Sequence, residues 1–507
     1  MSALYPVTTD WLKARTEATP DDVALLVDGL SFTFRELDRA VTRLSDFLWT
    51  TGIRPGDHTG SLMSNCLAAV CTVFAAARIG AVLVPLNTRL TATEIAWQFD
   101  QADCEWLLCS TSCASVAFDA VDESISPLVF WEPATSFMDW LDSLPAGSGD
   151  ISVSRSPDAL QAIVFTSGTT GFPKGAMITF ANHLWSAVGS AFKLGVLPGD
   201  RWLACMPLFH VGGLSILFRS CLYGTTVVLH NGFDLVAIRK SMVDDRITLI
   251  SAVPTMLARL LGDGLTTADC PALRLVLLGG AAASPDLLDE AFAVGLSIAV
   301  TYGLTEACSQ VATMLPDTTI RKPGSPGMPL LFTTVDIVAD DGTSCPAYVP
   351  GEIVVTGPTI AAGYYRDLDA TARTMPDGRL FTGDIGYLDD DSDLWVLSRR
   401  NDLIVSGGEN VYPAEIERII MSHPAVAAAA VVGLPHDEWG QQVAAMVVTR
   451  PHEVITSDEL STYLRERLAG YKRPRIVEFV EELPLTGSGK INRSEVVRLL
   501  SAQVETP

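Results

Sequence analysis

Along this chain, short runs rich in valine, isoleucine and leucine alternate with stretches in which apolar residues recur every three or four positions. AVLVPL follows Ala68–Arg78, ITLISAVP follows Leu235–Val243, and LRLVLLGG precedes Ser284–Val294. The short runs suit buried strands and the longer periodic stretches suit amphipathic helices. Their alternation predicts parallel strands joined by crossover helices, an α/β class. The pattern changes at Gly351, where EIVVTG and GYLDDDSDLWVLS read as strands and turns as far as Leu397. From Val411 it becomes a small βα region with helices expected at Ala414–Ser422 and Ser457–Leu468. Between the two, polar SRRND at Ser398–Asp402 separates apolar strands and suits an exposed hinge. The expected organisation is a large domain over 1–399, with parallel sheets, helices and a β-subdomain, followed by a small mobile α+β domain over 400–507. The tail Ser501–Pro507 is expected to fray.

At 507 residues and 48% hydrophobic content, the chain can bury more than one core. The apolar stretch Leu67–Leu86 is long enough to raise the question of a membrane span. Arg78 and Gly80 divide it into a helix-like half and the strand-like VLVP, so a buried helix and a core strand are expected instead. The ten cysteines show no disulfide framework, and Met1–Asp22 is too polar for a secretory signal, so a reducing cytoplasm is the expected compartment. Cys104, Cys109 and Cys113 come closest to a cluster, but neither a nearby histidine nor zinc-knuckle spacing supports a metal there. A formal net charge of −24 offers no broad basic surface for nucleic acid or anionic lipid. Any bound anion must therefore meet a local cluster of donors.

Such a cluster exists. Thr166–Gly175 reads TSGTTGFPKG directly after strand-like AIVF, and it combines three glycines, four hydroxyl side chains and one lysine. Glycines let backbone N–H groups approach an anion closely, hydroxyls add donors, and Lys174 adds charge. Pro173 and Gly175 flank Lys174, so the loop is not a Walker A sequence. The loop resembles the signature of the adenylate-forming superfamily of acyl-CoA synthetases, luciferases and peptide-synthetase adenylation domains. Further segments match in the family's order: PLFHVGG at Pro207–Gly213, LGGAAAS at Leu278–Ser284, YGLTE at Tyr302–Glu306, and TGD at Thr382–Asp384. They continue with SRRNDLIVSGGENVYPAEIE at Ser398–Glu417 and GSGKINR at Gly487–Arg493.

The resemblance implies a carboxylic acid, ATP and coenzyme A as small-molecule partners, with Mg²⁺. It implies no nucleic acid or integral membrane association, and an oligomer is compatible with it. Thr166, Ser167, Gly168, Thr169, Thr170, Gly171 and Lys174 would hold the β- and γ-phosphates. Thr305 would contact the α-phosphate, and Glu306 would ligate Mg²⁺, a hard cation suited to carboxylate and phosphate oxygens. Gly279, Gly280, Ala281, Ala282, Tyr302 and Gly303 would shape the adenine slot and its border with the acyl pocket. Asp384 would take the ribose hydroxyls, and Arg399 ribose or phosphate oxygens. Lys490 would bridge the substrate carboxylate and the α-phosphate in the first step only. Rotation about Asn401, where the family more often has Asp or Lys, would then bring Gly407 and Gly408 to a pantetheine tunnel. Tyr471, Lys472, Arg473 and Arg475 would meet the nucleotide end of coenzyme A.

His210 is expected at the acyl pocket as wall or gate, because a carboxylate is already nucleophilic at neutral pH and needs no base. Among branches of the family, the run from Pro207 to His230 is most similar to 2-succinylbenzoate:CoA ligases of menaquinone biosynthesis. That acid has a second carboxylate, for which Arg219 is the expected partner. A benzoate-type acid or a fatty acid is the alternative substrate, and a luciferase-like oxygenase the alternative activity. A carrier-protein adenylation module would normally sit beside a phosphopantetheine domain, which is not expected after Gly487–Arg493.

Overall fold

A computed structural model describes residues 10–145, 151, 153, 155–166, 173–399, 402, 404–406, 409–411, 413–436, 440–465, 467–468, 470–486 and 490–504. Two large sheets carry the N-terminal part. In the first, the order runs Ser309–Met314, Ile298–Leu304, Leu275–Leu278, Leu249–Ala252, Arg201–Ala204, Thr226–Leu229, Val23–Val27, Leu30–Thr33. The six inner strands are mutually parallel, and only the two edges pair antiparallel. The second sheet runs Leu128–Phe130, Trp106–Ser110, His58–Leu62, Val82–Pro85, Leu160–Thr166, Lys174–Thr179, again parallel except at its last pair.

Helices fill the space between these sheets, and the sequence explains why they are stable there. In Phe34–Thr51 the apolar positions Phe34, Leu37, Val41, Leu44 and Leu48 are buried, the spacing of one helix face. A capping box of Thr33 and Glu36 starts that helix and Gly52, at φ 122, ends it. Leu67–Ile79 is buried along its whole length, Arg78 included, and Gly80 stops it in the left-handed region. The Arg78 guanidinium is accommodated by ion pairs to Asp10 at 2.6 Å and to Asp38, and by Thr42 Oγ1 at 2.7 Å. The apolar stretch is thus a core helix followed by the fully buried strand Val82–Pro85. One apolar cluster, containing Leu83 and Val164 from one sheet and Val227 and Leu277 from the other, unites both sheets with these helices.

The third sheet is antiparallel: Thr334–Val338, Gly351–Thr356, Arg379–Leu388, Leu394–Arg399. The segment between its second and third strands holds a helix, Leu368–Thr374, where strands and turns were expected. It is only seven residues long, too short to show a helical period, and Asp367 caps it by accepting from Ala370 N. The fourth sheet comprises Glu409–Val411, Ile404–Ser406, Gly440–Thr449, Val426–His436 and Ile476–Val480, with helices Pro413–Met421 and Ser457–Arg465 against one face and Arg493–Val504 against the other. Of the tail expected to fray, Ser501–Val504 instead continues that last helix, and residues 505–507 lie outside the described residues. The mixed α/β class, with a large N-terminal part and a small C-terminal one, is as expected. No helix among the described residues is long and apolar enough to cross a membrane. All ten cysteines are free thiols, and Cys104 and Cys109 are buried.

Candidate active site

Parallel strands deliver their loops to one edge of a sheet, and in open α/β sheets that edge is where ligands bind. In the first sheet, Arg201–Ala204 leads to the loop holding His210, Leu275–Leu278 leads to Gly279–Ala282, and Ile298–Leu304 carries Tyr302 and Gly303 and ends at Thr305 and Glu306. All these residues therefore emerge on the same side. The second sheet contributes Thr166 at the end of Leu160–Thr166, paired in register with Lys174, so the base of the phosphate loop is a hairpin neck. Ser167, Gly168, Thr169, Thr170 and Gly171 lie outside the described residues.

Contacts across the sheets tie the motifs together. The Tyr302 hydroxyl donates to Asp384 Oδ2 at 2.6 Å, joining the first sheet to the third. Asp384 is buried and lies opposite Arg399 in the strand register, so two residues expected at the ribose are neighbours. The side chain of Arg399 lies outside the described residues. Glu306 is held by Tyr364, whose hydroxyl donates to Oε1 at 2.8 Å, and its backbone carbonyl accepts from Ala361 N at 2.8 Å. The Lys174 ammonium stands 5.2 Å from the centroid of the Tyr364 ring, and Tyr365 N donates to Gly175 O at 2.8 Å. Tyr364 thus links the foot of the phosphate loop to Glu306. Sequence reasoning passed over it, although the aromatic pair after Gly363 was visible. Burial first, and then the charge and hydrogen bond of Glu306, push the Tyr364 phenol far up, so it remains a donor.

Two glycines are required by close approach. A Cβ on Gly303 would fall 1.8 Å from Ser309 O, and one on Gly279 would fall 2.6 Å from Thr301 Cγ2. Gly279 is therefore demanded by strand packing, while Gly280 at φ 80 turns the chain and leaves Ala281 and Ala282 exposed at the crevice.

His210 stands at the N-cap position of the apolar helix Val211–Tyr223, without a side-chain capping bond, and packs edge-on to Phe209, with centroids 4.7 Å apart. Asn65 fixes its loop: the buried amide donates to Met206 O at 2.9 Å and accepts from Leu208 N at 3.0 Å. Burial, then the charges of Lys490 and Arg89, lower the His210 pKa to about 4, so it is a neutral imidazole near pH 7. Lys490 and His210 are 280 residues apart in the chain. The Lys490 backbone closes a turn, with N donating to Thr486 Oγ1 at 3.2 Å and O accepting from Thr486 N at 2.7 Å. Arg89 was not singled out from the sequence, where one arginine in a polar loop carries no signal.

Arg219 is not a solvated helix residue. It is 2% exposed, donates to Ser186 Oγ at 3.0 Å, and lies 6.0 Å from the Trp202 ring centroid. No carboxylate among the described residues pairs with it, and its Nε lacks a partner. Burial lowers its pKa, the expected cost of an uncompensated charge. Gly407, Gly408 and Asn401 lie outside the described residues, as does the side chain of Tyr471. Arg473 follows the turn Gly470–Lys472 and is half-buried.

For a divalent cation, Glu306 offers Oε2 with no protein partner among the described residues, since only Oε1 is engaged. One carboxylate fits Mg²⁺, which usually takes one or two carboxylates and completes its shell with water and substrate phosphates. The triad Asp389, Asp391 and Asp393 has metal-like spacing, but the Lys322 ammonium fills it at 2.8, 2.8 and 2.6 Å.

Known proteins share this layout. Residues 12–365 match the AMP-binding enzyme family and residues 415–490 match the AMP-binding enzyme C-terminal domain. A 2-succinylbenzoate–CoA ligase of Bacillus cereus is 41% identical over 492 residues, covering 97% of this chain and 98% of that protein. Its counterpart from a Geobacillus species is 38% identical, with 97% of each chain covered. Among solved structures, o-succinylbenzoate CoA synthetase from Bacillus subtilis in complex with its acyl-adenylate intermediate superposes with TM-score 0.88 at 38% identity, covering 96% of this chain and 98% of that one. A double mutant of the same enzyme, bound to a product analogue, matches at the same identity and coverage but with TM-score 0.73. With both parts of the chain matched and both relatives covered almost end to end, this chain belongs to the AMP-binding enzyme family.

Proposed function

We propose that the chain is an AMP-forming acid–CoA ligase that converts 2-succinylbenzoate to 2-succinylbenzoyl-CoA, a step of menaquinone biosynthesis. The observation that carries this reading is near end-to-end identity of about 40% to ligases of that name. The buried, carboxylate-free Arg219 supports it, because a substrate with a second carboxylate supplies the missing anion. Arg219 would take that spare carboxylate, with Ser186 holding the guanidinium. The free thiols support a cytoplasmic setting.

In the first half-reaction a carboxylate oxygen bonds to the α-phosphorus of ATP, the α–β bridging bond breaks, and pyrophosphate leaves. Two anions must approach, so positive charge and donors at the α-phosphate lower the barrier most. Lys490 and Thr305 supply them, while Lys174 holds the departing β- and γ-phosphates. Neutral His210 forms a wall that adds no competing charge. Tyr302 and Asp384 orient adenine and ribose. Magnesium, held by Glu306, would neutralise charge on the phosphates when bound. In the second half-reaction the thiol of coenzyme A gives up its proton to solvent, its sulfur bonds to the acyl carbonyl carbon, and the bond from that carbon to the phosphate oxygen breaks, releasing AMP.

The division falls at 399/400 in this proposal, with Asn401 as the pivot that replaces Lys490 by Gly407, Gly408, Tyr471 and Arg473 for the second step. The higher TM-score to the adenylate-bound relative than to the product-analogue complex supports an adenylation arrangement here. The test is kcat/KM for CoA-dependent pyrophosphate release with 2-succinylbenzoate, benzoate and a medium-chain fatty acid. A preference for 2-succinylbenzoate is expected, and turnover of the fatty acid alone contradicts the assignment.

A further inference from the structure

Lys490 is exposed, yet Arg493, three residues on, is held by three separate elements. Lys490 sits on a small hairpin: Leu485 bridges Ile491, Thr486 N donates to Lys490 O at 2.7 Å, and Asn492 N donates to Pro484 O at 2.8 Å. Arg493 then opens the last helix. Its guanidinium grips Glu417 of the helix Pro413–Met421 with two bonds, at 2.6 and 3.1 Å, and donates to Val431 O of the fourth sheet at 2.7 Å. Glu417 is 8% exposed and also accepts from Val431 N at 2.8 Å. The remaining nitrogen, Nε, reaches Asp402 Oδ2 at 3.3 Å.

The location of Asp402 gives that last contact its meaning. The third sheet ends at Arg399 and the fourth begins at Ile404, so Asp402 lies within the connector. Three residues of chain span at most ~10 Å, so Arg493 cannot be far from the lysine backbone. The connector, the core of the C-terminal part and the lysine hairpin are thereby fastened to one planar group. A bidentate guanidinium fixes direction as well as distance, which an ammonium cannot do.

We infer that Arg493, clamped between Glu417 and Asp402, is a positioning residue for Lys490, so that the geometry of the connector sets where the lysine ammonium stands. This rests on the reading of Lys490 as the adenylation lysine. Asp402 and Arg493 both lie beyond Asn401, so the strut travels with the C-terminal part and holds the hairpin at a fixed angle to the pivot. Only the step that uses Lys490 depends on that angle. A purely structural clamp would instead affect both half-reactions through stability.

Asp402→Ala tests this without uncovering Glu417, because the bidentate pair remains. Adenylation is read by ATP–pyrophosphate exchange, and thioester formation by CoA transfer from supplied 2-succinylbenzoyl-adenylate. The expected result is an exchange kcat lowered about 10-fold, a loss of alignment in the reacting groups, with KM for ATP and acid, thioester rate and melting temperature close to wild type. Arg493→Lys, which keeps the charge and loses the fork, is expected to show the same selective loss to a greater degree. Unchanged exchange in Asp402→Ala overturns the inference, as does an equal loss in both half-reactions. Lys490→Ala separates the two layers: if it loses exchange while Asp402→Ala does not, only the strut is wrong, and if it retains exchange, the lysine reading and the strut fall together.

Discussion

Replacing Tyr364 by Phe removes one oxygen and nothing else, yet that oxygen holds the carboxylate assigned to the magnesium ion. The hydroxyl donates to Glu306 Oε1 at 2.8 Å, and the ring lies beneath the Lys174 ammonium at 5.2 Å. Phenylalanine keeps the ring, so the cation–π contact and the packing survive. A hydrogen bond to a charged group contributes about 1.5–3 kcal/mol. At about 1.4 kcal/mol per factor of ten, the loss corresponds to roughly 10- to 100-fold. It should fall on kcat/KM for Mg·ATP, because a carboxylate without its donor no longer has one fixed direction. The assay is ATP–pyrophosphate exchange over a magnesium titration, with nucleotide binding followed separately by calorimetry. A higher half-saturating magnesium concentration is expected, with KM for the acid unchanged and the melting temperature within a few degrees. An unaltered magnesium profile would refute the argument that Tyr364 orients Glu306.

Gly303→Ala should abolish adenylation and lower the melting temperature, since its Cβ would lie 1.8 Å from Ser309 O and the strand end must move. Lys490→Ala should abolish exchange while leaving thioester formation from supplied acyl-adenylate largely intact; equal loss of both steps contradicts its role. Arg219→Leu should raise KM for 2-succinylbenzoate strongly, and unchanged kinetics would remove it from the acyl site. His183 is fully enclosed beside Arg219, and burial first, then that charge, lower its pKa to about 3. The unfolded chain takes up this proton near pH 6.5, so the stabilisation is complete above pH 6.5 and is lost as pH falls toward 3. His183→Gln should therefore make stability less steep in that window by about 1.4 kcal/mol per pH unit, measured by denaturant titration at several pH values.

Much of this site was legible because its parts are local. The phosphate loop, YGLTE, TGD and GSGKINR each join glycines to a polar residue within a few positions, and α/β alternation places them at strand ends. The helix Leu67–Ile79 was readable as core despite Arg78, because Gly80 and VLVP follow it at once. What escaped was non-local. Tyr364 lies 58 positions from Glu306, Arg89 more than a hundred from His210, and nothing in either segment names its partner. The burial of Arg219 depends on three elements closing over it, namely its own helix, the helix of Ser186 and the strand of Trp202. The Lys322 ammonium inside Asp389, Asp391 and Asp393 is of the same kind: the aspartates sit at alternate positions of one short segment, and the cation comes from far away in the chain.

The most direct measurement follows product masses. Purified protein with ATP, magnesium and 2-succinylbenzoate, but no coenzyme A, should yield 2-succinylbenzoyl-AMP and one pyrophosphate. Added coenzyme A should convert that species to 2-succinylbenzoyl-CoA and AMP. Thioester formed with release of ADP and phosphate, or no adenylate from 2-succinylbenzoate while another acid is activated, would contradict the account.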